Sequence, residues 1–151
     1  MTIEKQSTSD KQTGGFTSEE RDAMKARAHE VKRERTRGGA KADGESELLA
    51  KIAAMPEKDR SLAERVHTII RSAAPDLEPK TWYGMPAYAK SGQTICFFRN
   101  AGKFKTRYAT LGFSDKANLD DGTMWPTDFA ILGLTPEVET RITELIRKAV
   151  S

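Results

Sequence analysis

The sequence predicts an α+β domain: an antiparallel sheet with helices packed on one face, preceded by a tail and a polar helix. Three observations carry this expectation. Apolar residues recur at helical spacing over residues 57–74 and again over 136–149, strand-like runs fill the interval between them, and Gly, Pro, Ser and Asn separate those runs. With 151 residues, 37% of them hydrophobic and 31% charged, the chain can bury one ordinary core.

Taken in order, residues 1–16 are expected to be a disordered tail, because Met1 and Ile3 are the only apolar side chains before Gly14-Gly15. Thr17 and Glu20 then form a capping box, and residues 18–36 are predicted as a helix that ends at Gly38-Gly39. Its apolar seam is thin, consisting of Met24, Ala28 and Val31 among Lys and Arg. Two readings of it are open, a solvated helix and a basic arm that touches a partner. Three glycines between residues 38 and 45 predict a linker, so the chain divides into a tail (1–16), a polar helix with its linker (17–45) and a folded domain (46–151).

Within that domain, Ser46 can cap a short helix carrying Leu48, Leu49, Ile52 and Met55, and Pro56 breaks it. A core helix follows over residues 57–74, with Leu62, Val66, Ile69, Ile70 and Ala73 on one face and Pro75 as its stop. His67 lies beside that stripe with no nearby partner in sequence, which predicts a satisfied or exposed histidine. Residues 80–88, Lys-Thr-Trp-Tyr-Gly-Met-Pro-Ala-Tyr, read as a strand, a sharp corner and a second strand: Gly84 permits φ > 0, and Pro86 pushes Met85 towards extended backbone.

Ser91-Gly92 is a turn, Gln93–Arg99 a strand, Asn100-Ala101-Gly102 a tight loop and Lys103–Phe113 the returning strand. That loop length pairs Phe98 with Phe104, Cys96 with Thr106 and Thr94 with Tyr108 on the core face. The opposite face then presents Arg99, Lys103, Lys105 and Arg107 around Phe97 and Ile95. A slip of one residue would exchange the faces. Leu119, Met124 and Trp125 are expected to anchor the polar stretch 114–128, and residues 129–132 to add a last short strand. Thr135 caps a closing helix whose buried stripe is Val138, Ile142, Leu145, Ile146 and Ala149.

Lys and Arg exceed Asp and Glu by 25 to 22, so any basic site must be local. The single Cys96 excludes an intrachain disulfide and sits in an apolar run that predicts burial; a reducing cytoplasm fits. There is no membrane-spanning stretch, phosphate loop, nucleotide-binding glycine motif, nucleophile elbow or metal helix, and the expectation is a binding domain with no enzymatic constellation. Two constellations remain. The basic hairpin face suits nucleic acid or another acidic partner, or is a solvated surface. Asp76 and Glu78 after the core helix, and Asp115, Asp120, Asp121 and Asp128 in or beside the long loop, offer oxygen ligands for weak binding of divalent cations, or are solvated acids.

The run Trp82-Tyr83-Gly84-Met85-Pro86-Ala87-Tyr88 resembles the hallmark aromatic-Gly-Met-Pro-x-aromatic corner of the YdhG-like family of bacterial domains. The resemblance extends to Ile69–Pro75, to Ile95–Phe98 and to Leu145–Val150, and covers about residues 47–151. It implies a frataxin-like α+β fold and the role often named for that family, an iron chaperone supporting iron-sulfur or haem assembly, with iron-sulfur assembly proteins as partners. Where frataxin carries an acidic ridge, this chain interleaves Glu57, Asp59, Glu64, Asp76 and Glu78 with Lys58, Arg60, Arg65 and Arg71.

Overall fold

A computed structural model describes residues 15–37 and 41–151, with side chains for 15–33 and 44–151. Most of the expected tail, residues 1–14, and residues 38–40 of the expected linker lie outside the described residues. The elements run α1 (Ser18–Arg37), α2 (Lys41–Ala53), α3 (Glu57–Ala73), β1 (Glu78–Trp82), β2 (Met85–Lys90), β3 (Gln93–Arg99), a single helical turn α4 (Ala101–Phe104), β4 (Ala109–Phe113), β5 (Asp128–Ile131) and α5 (Pro136–Ala149). The strands form one antiparallel meander in sequence order, and the fold is α+β.

Local chemistry explains the helix ends. The Thr17 hydroxyl accepts from the Glu20 amide at 3.0 Å while the Glu20 carboxylate accepts from the Thr17 amide at 2.9 Å, a reciprocal capping box. Thr135 caps α5 by accepting from the Val138 amide at 3.3 Å, with Pro136 in the first turn. The buried stripes of α3 (Ala63, Val66, Ile69, Ile70) and α5 (Ile142, Ile146, Ala149) pack with Leu48 and Ile52 of α2 onto Tyr88, Cys96, Phe98, Leu111 and Ile131 of the sheet. Leu62, Ala73, Val138 and Leu145 flank that core half-buried, as their positions at the edge of each stripe require.

The linker expected up to residue 45 is shorter in the folded chain, because α2 already starts at Lys41 and contains Gly44. Gly44 is the point where the helix touches the sheet: a Cβ there would lie 2.6 Å from the backbone oxygen of Pro79 in β1. Glycine inside a helix costs about 1 kcal/mol against alanine, and here it admits a close helix–strand approach.

The expected three-residue hairpin loop is also corrected. Strand β3 pairs with β4 as Cys96 with Phe113, Phe97 with Gly112, Phe98 with Leu111 and Arg99 with Thr110, so the partner of Phe98 is Leu111 rather than Phe104. The connection spans residues 100–108 and coils into α4, with Lys105 left-handed at φ 54°. Its cause is Asp59: the buried carboxylate accepts from the Gly102 amide at 3.0 Å and from the Asn100 side chain at 3.3 Å, drawing the chain down towards α3. On β3, Cys96 and Phe98 are buried and Phe97 lies on the other side as expected, whereas Ile95, expected beside Phe97, is buried in the core because the ladder with β2 is irregular between Cys96 and Thr94. Those of the returning strand are exchanged, and Phe104, Thr106 and Tyr108 lie outside the core.

Residues 114–127 are held by Ala117 and Leu119, both buried, and by the Asn118 amide donating to Ala149 at 2.9 Å. Trp125 packs on the core as expected, whereas Met124 is 88% exposed and anchors nothing. The last strand ends one residue earlier than expected and leaves Leu132 exposed. No helix among the described residues is long and apolar enough to cross a membrane.

Candidate binding site at the corner between the first two strands

Trp82 and Met85 are the last paired residues of β1 and β2, so Tyr83-Gly84 is a two-residue hairpin loop. Both residues have positive φ, 53° and 75°, the backbone of a type I′ turn. The second hairpin, at Ser91-Gly92, has the same signature at 52° and 79°. Tyrosine is an unusual choice for a left-handed position and carries strain of order 1 kcal/mol. Its ring is held by Trp82 in an edge-to-face contact, with centroids 4.8 Å apart.

A type I′ turn leaves the two central amides without partners in its own ladder. At Tyr83-Gly84 both are taken by one side chain, Glu30 of α1, whose carboxylate oxygens accept from the Tyr83 and Gly84 amides at 2.8 Å each. Glu30 is 1% exposed. Two cations compensate its burial: Arg27 lies 3.6 Å away on the preceding helical turn, and Lys103 donates to the Gly84 carbonyl at 3.2 Å. Burial pulls the Lys103 ammonium below its ordinary range, with Lys51 adding to the effect and Glu30 and Asp22 opposing it. Gly84 is favoured by its φ, and a Cβ there would also displace the tip of Lys103.

Helix α1 therefore lies against the outer face of the sheet, a docking that its thin seam does not announce. Among its described side chains Ala23 and Glu30 are the buried ones, a different set from the expected Met24, Ala28 and Val31. Because the apolar footing is small, a cleft of about 320 Å³ remains between helix and sheet, walled by Phe16, Met24, Trp82, Met85, Phe97 and Phe104, with Arg99 at its edge. Phe97 lies flat on the sheet because its partner is Gly112, where a Cβ would lie 2.2 Å from the ring. Trp82 stacks obliquely on Phe97, with centroids 5.3 Å apart, and the Arg99 guanidinium lies 5.9 Å from the Phe97 centroid.

The remaining residues of the corner motif face inward. Pro86 is fully buried, and the Tyr88 hydroxyl shares a hydrogen bond of 2.8 Å with His67 Nδ1. Burial lowers the His67 pKa, with Arg71 adding to the effect and Glu45 opposing it, and burial raises that of Tyr88. Burial likewise pushes the Cys96 thiol well above its ordinary value, so it is held as a small apolar residue.

Of the expected basic face, the structure brings together Phe97 and Arg99, with Lys103 beside them at the corner. Lys105 and Arg107 leave it, because the α4 turn carries them out of the strand. Lys105 pairs with Glu19 at 2.8 Å and holds that carboxyl down to about 2, while Arg107 stacks over Tyr108 at 5.2 Å. Of the acidic candidates, Asp76 and Glu78 line one groove with Glu45, into which Arg71 also projects, paired with Glu45 at 3.3 Å. Glu64 is exposed on α3, and Asp120 and Asp121 are exposed in the loop after β4, so neither joins that groove. Among the described residues no group of three His, Cys, Asp or Glu is arranged to hold a metal ion. Sequence reasoning gave Glu30 no role and named Asp59 only among interleaved charges; each is one acid among several on its helix, beside Glu19, Glu20, Asp22 and Glu34 on α1 and Glu57 on α3, so nothing singled it out.

Comparison with family models, with characterised proteins and with solved structures returns no match.

Proposed function

We propose that the chain is a small binding domain of YdhG-like type whose ligand-receiving surface is the outer face of the corner, and that its ligand is an acidic polypeptide segment with an apolar side chain. The observation that supports this reading is the aromatic cleft itself. An exposed Phe16 and a half-buried Trp82, Phe97 and Phe104 surround a space that no side chain among the described residues fills, with Arg99 lining it to meet a carboxylate. The combination is that of an interface core, in which a rigid aromatic wall and an arginine dominate recognition. A nucleic-acid role would need Lys105 and Arg107 on the same side, and it is the less favoured use of this surface.

The test is an amide chemical-shift titration with anilinonaphthalene sulfonate, an aromatic anion that imitates both halves of such a ligand. Shifts should concentrate on Trp82, Met85, Phe97, Arg99 and Phe104, and Phe97→Ala should weaken binding at least tenfold. Shifts scattered over the surface, or unchanged binding by Phe97→Ala, would sink the reading.

Iron handling, which the family resemblance implies, is a second reading, supported by Asp76 and Glu78 sharing a groove with Glu45. Such a carboxylate site would carry Fe(II) as weakly held cargo, in the micromolar range or weaker, because no histidine completes it. Anaerobic Fe(II) should broaden amides around Asp76 and Glu78 first; spectra unchanged at a large excess of iron would remove it.

A further inference from the structure

We infer that the Tyr83-Gly84 corner is a carboxylate receptor for a glutamate-bearing helical segment of a partner protein, and that α1 is its resident, displaceable occupant. The inference deepens the cleft reading and rests on it for the apolar half of the contact.

The resident ligand defines the chemistry. One carboxylate bridges two amides that a type I′ turn orients outwards, at 2.8 Å each, and Lys103 sits behind them on the Gly84 carbonyl. The chain carries its own control for what the turn alone requires: Ser91-Gly92 adopts the same backbone with both residues exposed and open space around Gly92. A carboxylate is therefore not needed to make such a turn. It is something the Tyr83-Gly84 turn, with Lys103 added, is equipped to hold.

Displaceability follows from how α1 is attached. Among the described side chains of α1, Ala23 and Glu30 are the buried ones, Phe16 and Met24 stay 50% and 38% exposed, and the polar ties include Glu30 at the corner, Arg33 with Glu47 at 3.3 Å and Glu19 with Lys105 at 2.8 Å. The apolar footing is thus largely half-open, and the Glu30 carboxylate is the buried polar tie that fixes α1 to the corner. An occupant tethered in this way competes as if present at millimolar concentration, so a partner segment must offer the carboxylate together with apolar side chains that replace Phe16 and Met24 against the sheet wall of Trp82, Phe97 and Phe104.

The experiment uses the full chain carrying Glu30→Ala and, as probe, a synthetic peptide spanning residues 16–37, with Trp82 emission as the readout. The peptide should bind this variant at least tenfold more tightly than it binds the wild-type chain, and a peptide carrying Glu30→Gln should bind at least tenfold more weakly. Equal binding of the two peptides would overturn the carboxylate receptor while leaving the cleft standing. Loss of anilinonaphthalene sulfonate binding with retained Glu dependence would do the reverse. Should Glu30→Ala unfold the domain, amide exchange in the wild-type chain decides: Tyr83 and Gly84 should exchange at least a hundredfold faster than the central strand β3, and equal protection would show that α1 does not lift.

Discussion

The two faces of the sheet are covered by helices in opposite ways. On the inner face α2, α3 and α5 bury leucine, isoleucine and valine against Tyr88, Phe98 and Leu111, so the contact is broad and insensitive to any one polar group. On the outer face α1 buries Ala23 and Glu30, leaves an aromatic cleft beside them, and is fastened by hydrogen bonds to a strained turn. Apolar area is non-directional and additive, whereas a bidentate carboxylate is local and exchangeable. One face is built to stay closed and the other to be opened.

The largest effect should come from setting Phe98 against Phe97, adjacent residues on opposite faces. Phe98 is fully buried, and Phe98→Ala should destabilise the domain by roughly 3 to 5 kcal/mol, whereas Phe97→Ala, which empties a half-open cleft, should cost clearly less. Urea melts of both variants measure it. Equal losses would mean that the outer face is as much a core as the inner one.

Next in size is Gly44→Ala, which probes how tightly α2 is seated. Helix propensity alone favours alanine by about 1 kcal/mol, but the new methyl would meet the Pro79 carbonyl at 2.6 Å and must push helix from strand, an overpacking cost of about 1 to 3 kcal/mol. A net loss of stability is expected in the same melts. A gain would show that the inner face yields easily, and the contrast between the faces would weaken.

These sites also separate what was legible in the sequence from what was not. The stripes of α3 and α5, the capping box at Thr17, the corner at Gly84 and the inward orientation of Phe98 each follow from residues within one or two turns of one another. The register of β4, the start of α2 and the docking of α1 do not. Each depends on a polar or backbone contact between residues far apart in the chain: Asp59 with Gly102, Gly44 with Pro79, and Glu30 with Tyr83 and Gly84. Periodicity reports which face is buried and is silent on which lone acid will find a free amide. At the candidate site the aromatic and glycine residues were visible for this reason, and their ligand was not.

A smaller effect tests a polar contact on the inner face. His67 is held neutral against Tyr88, with its pKa lowered by burial, so the unfolded chain takes up a proton at higher pH than the native one. Its contribution to stability is therefore fully present above the ordinary histidine pKa of about 6.5 and is lost as pH falls through the lower native value. Melting midpoints followed from pH 8 to pH 5 should decline on the acid side, and His67→Gln should flatten that decline. An unchanged profile in the variant would assign the decline to carboxylates.

The smallest effect belongs to the ion pair between Lys105 and Glu19, which sits at the rim of α1 and is open to water on the lysine side. In water such a pair gains little, because Coulomb attraction is screened and two long side chains must be held still. The melting midpoint of Lys105→Ala should be indistinguishable from that of the wild type. The variant nonetheless reports on the outer face, since Glu19, Arg33 and Glu30 all tie α1 to the rest of the domain and, of these three, Glu30 is the one shielded from solvent. Amide exchange at Tyr83 and Gly84 should be unchanged in Lys105→Ala and insensitive to salt between 50 and 500 mM. If removing Lys105 or adding salt opens those amides as much as removing Glu30 does, α1 is held by its charge pattern as a whole, and the corner loses its distinction as the latch.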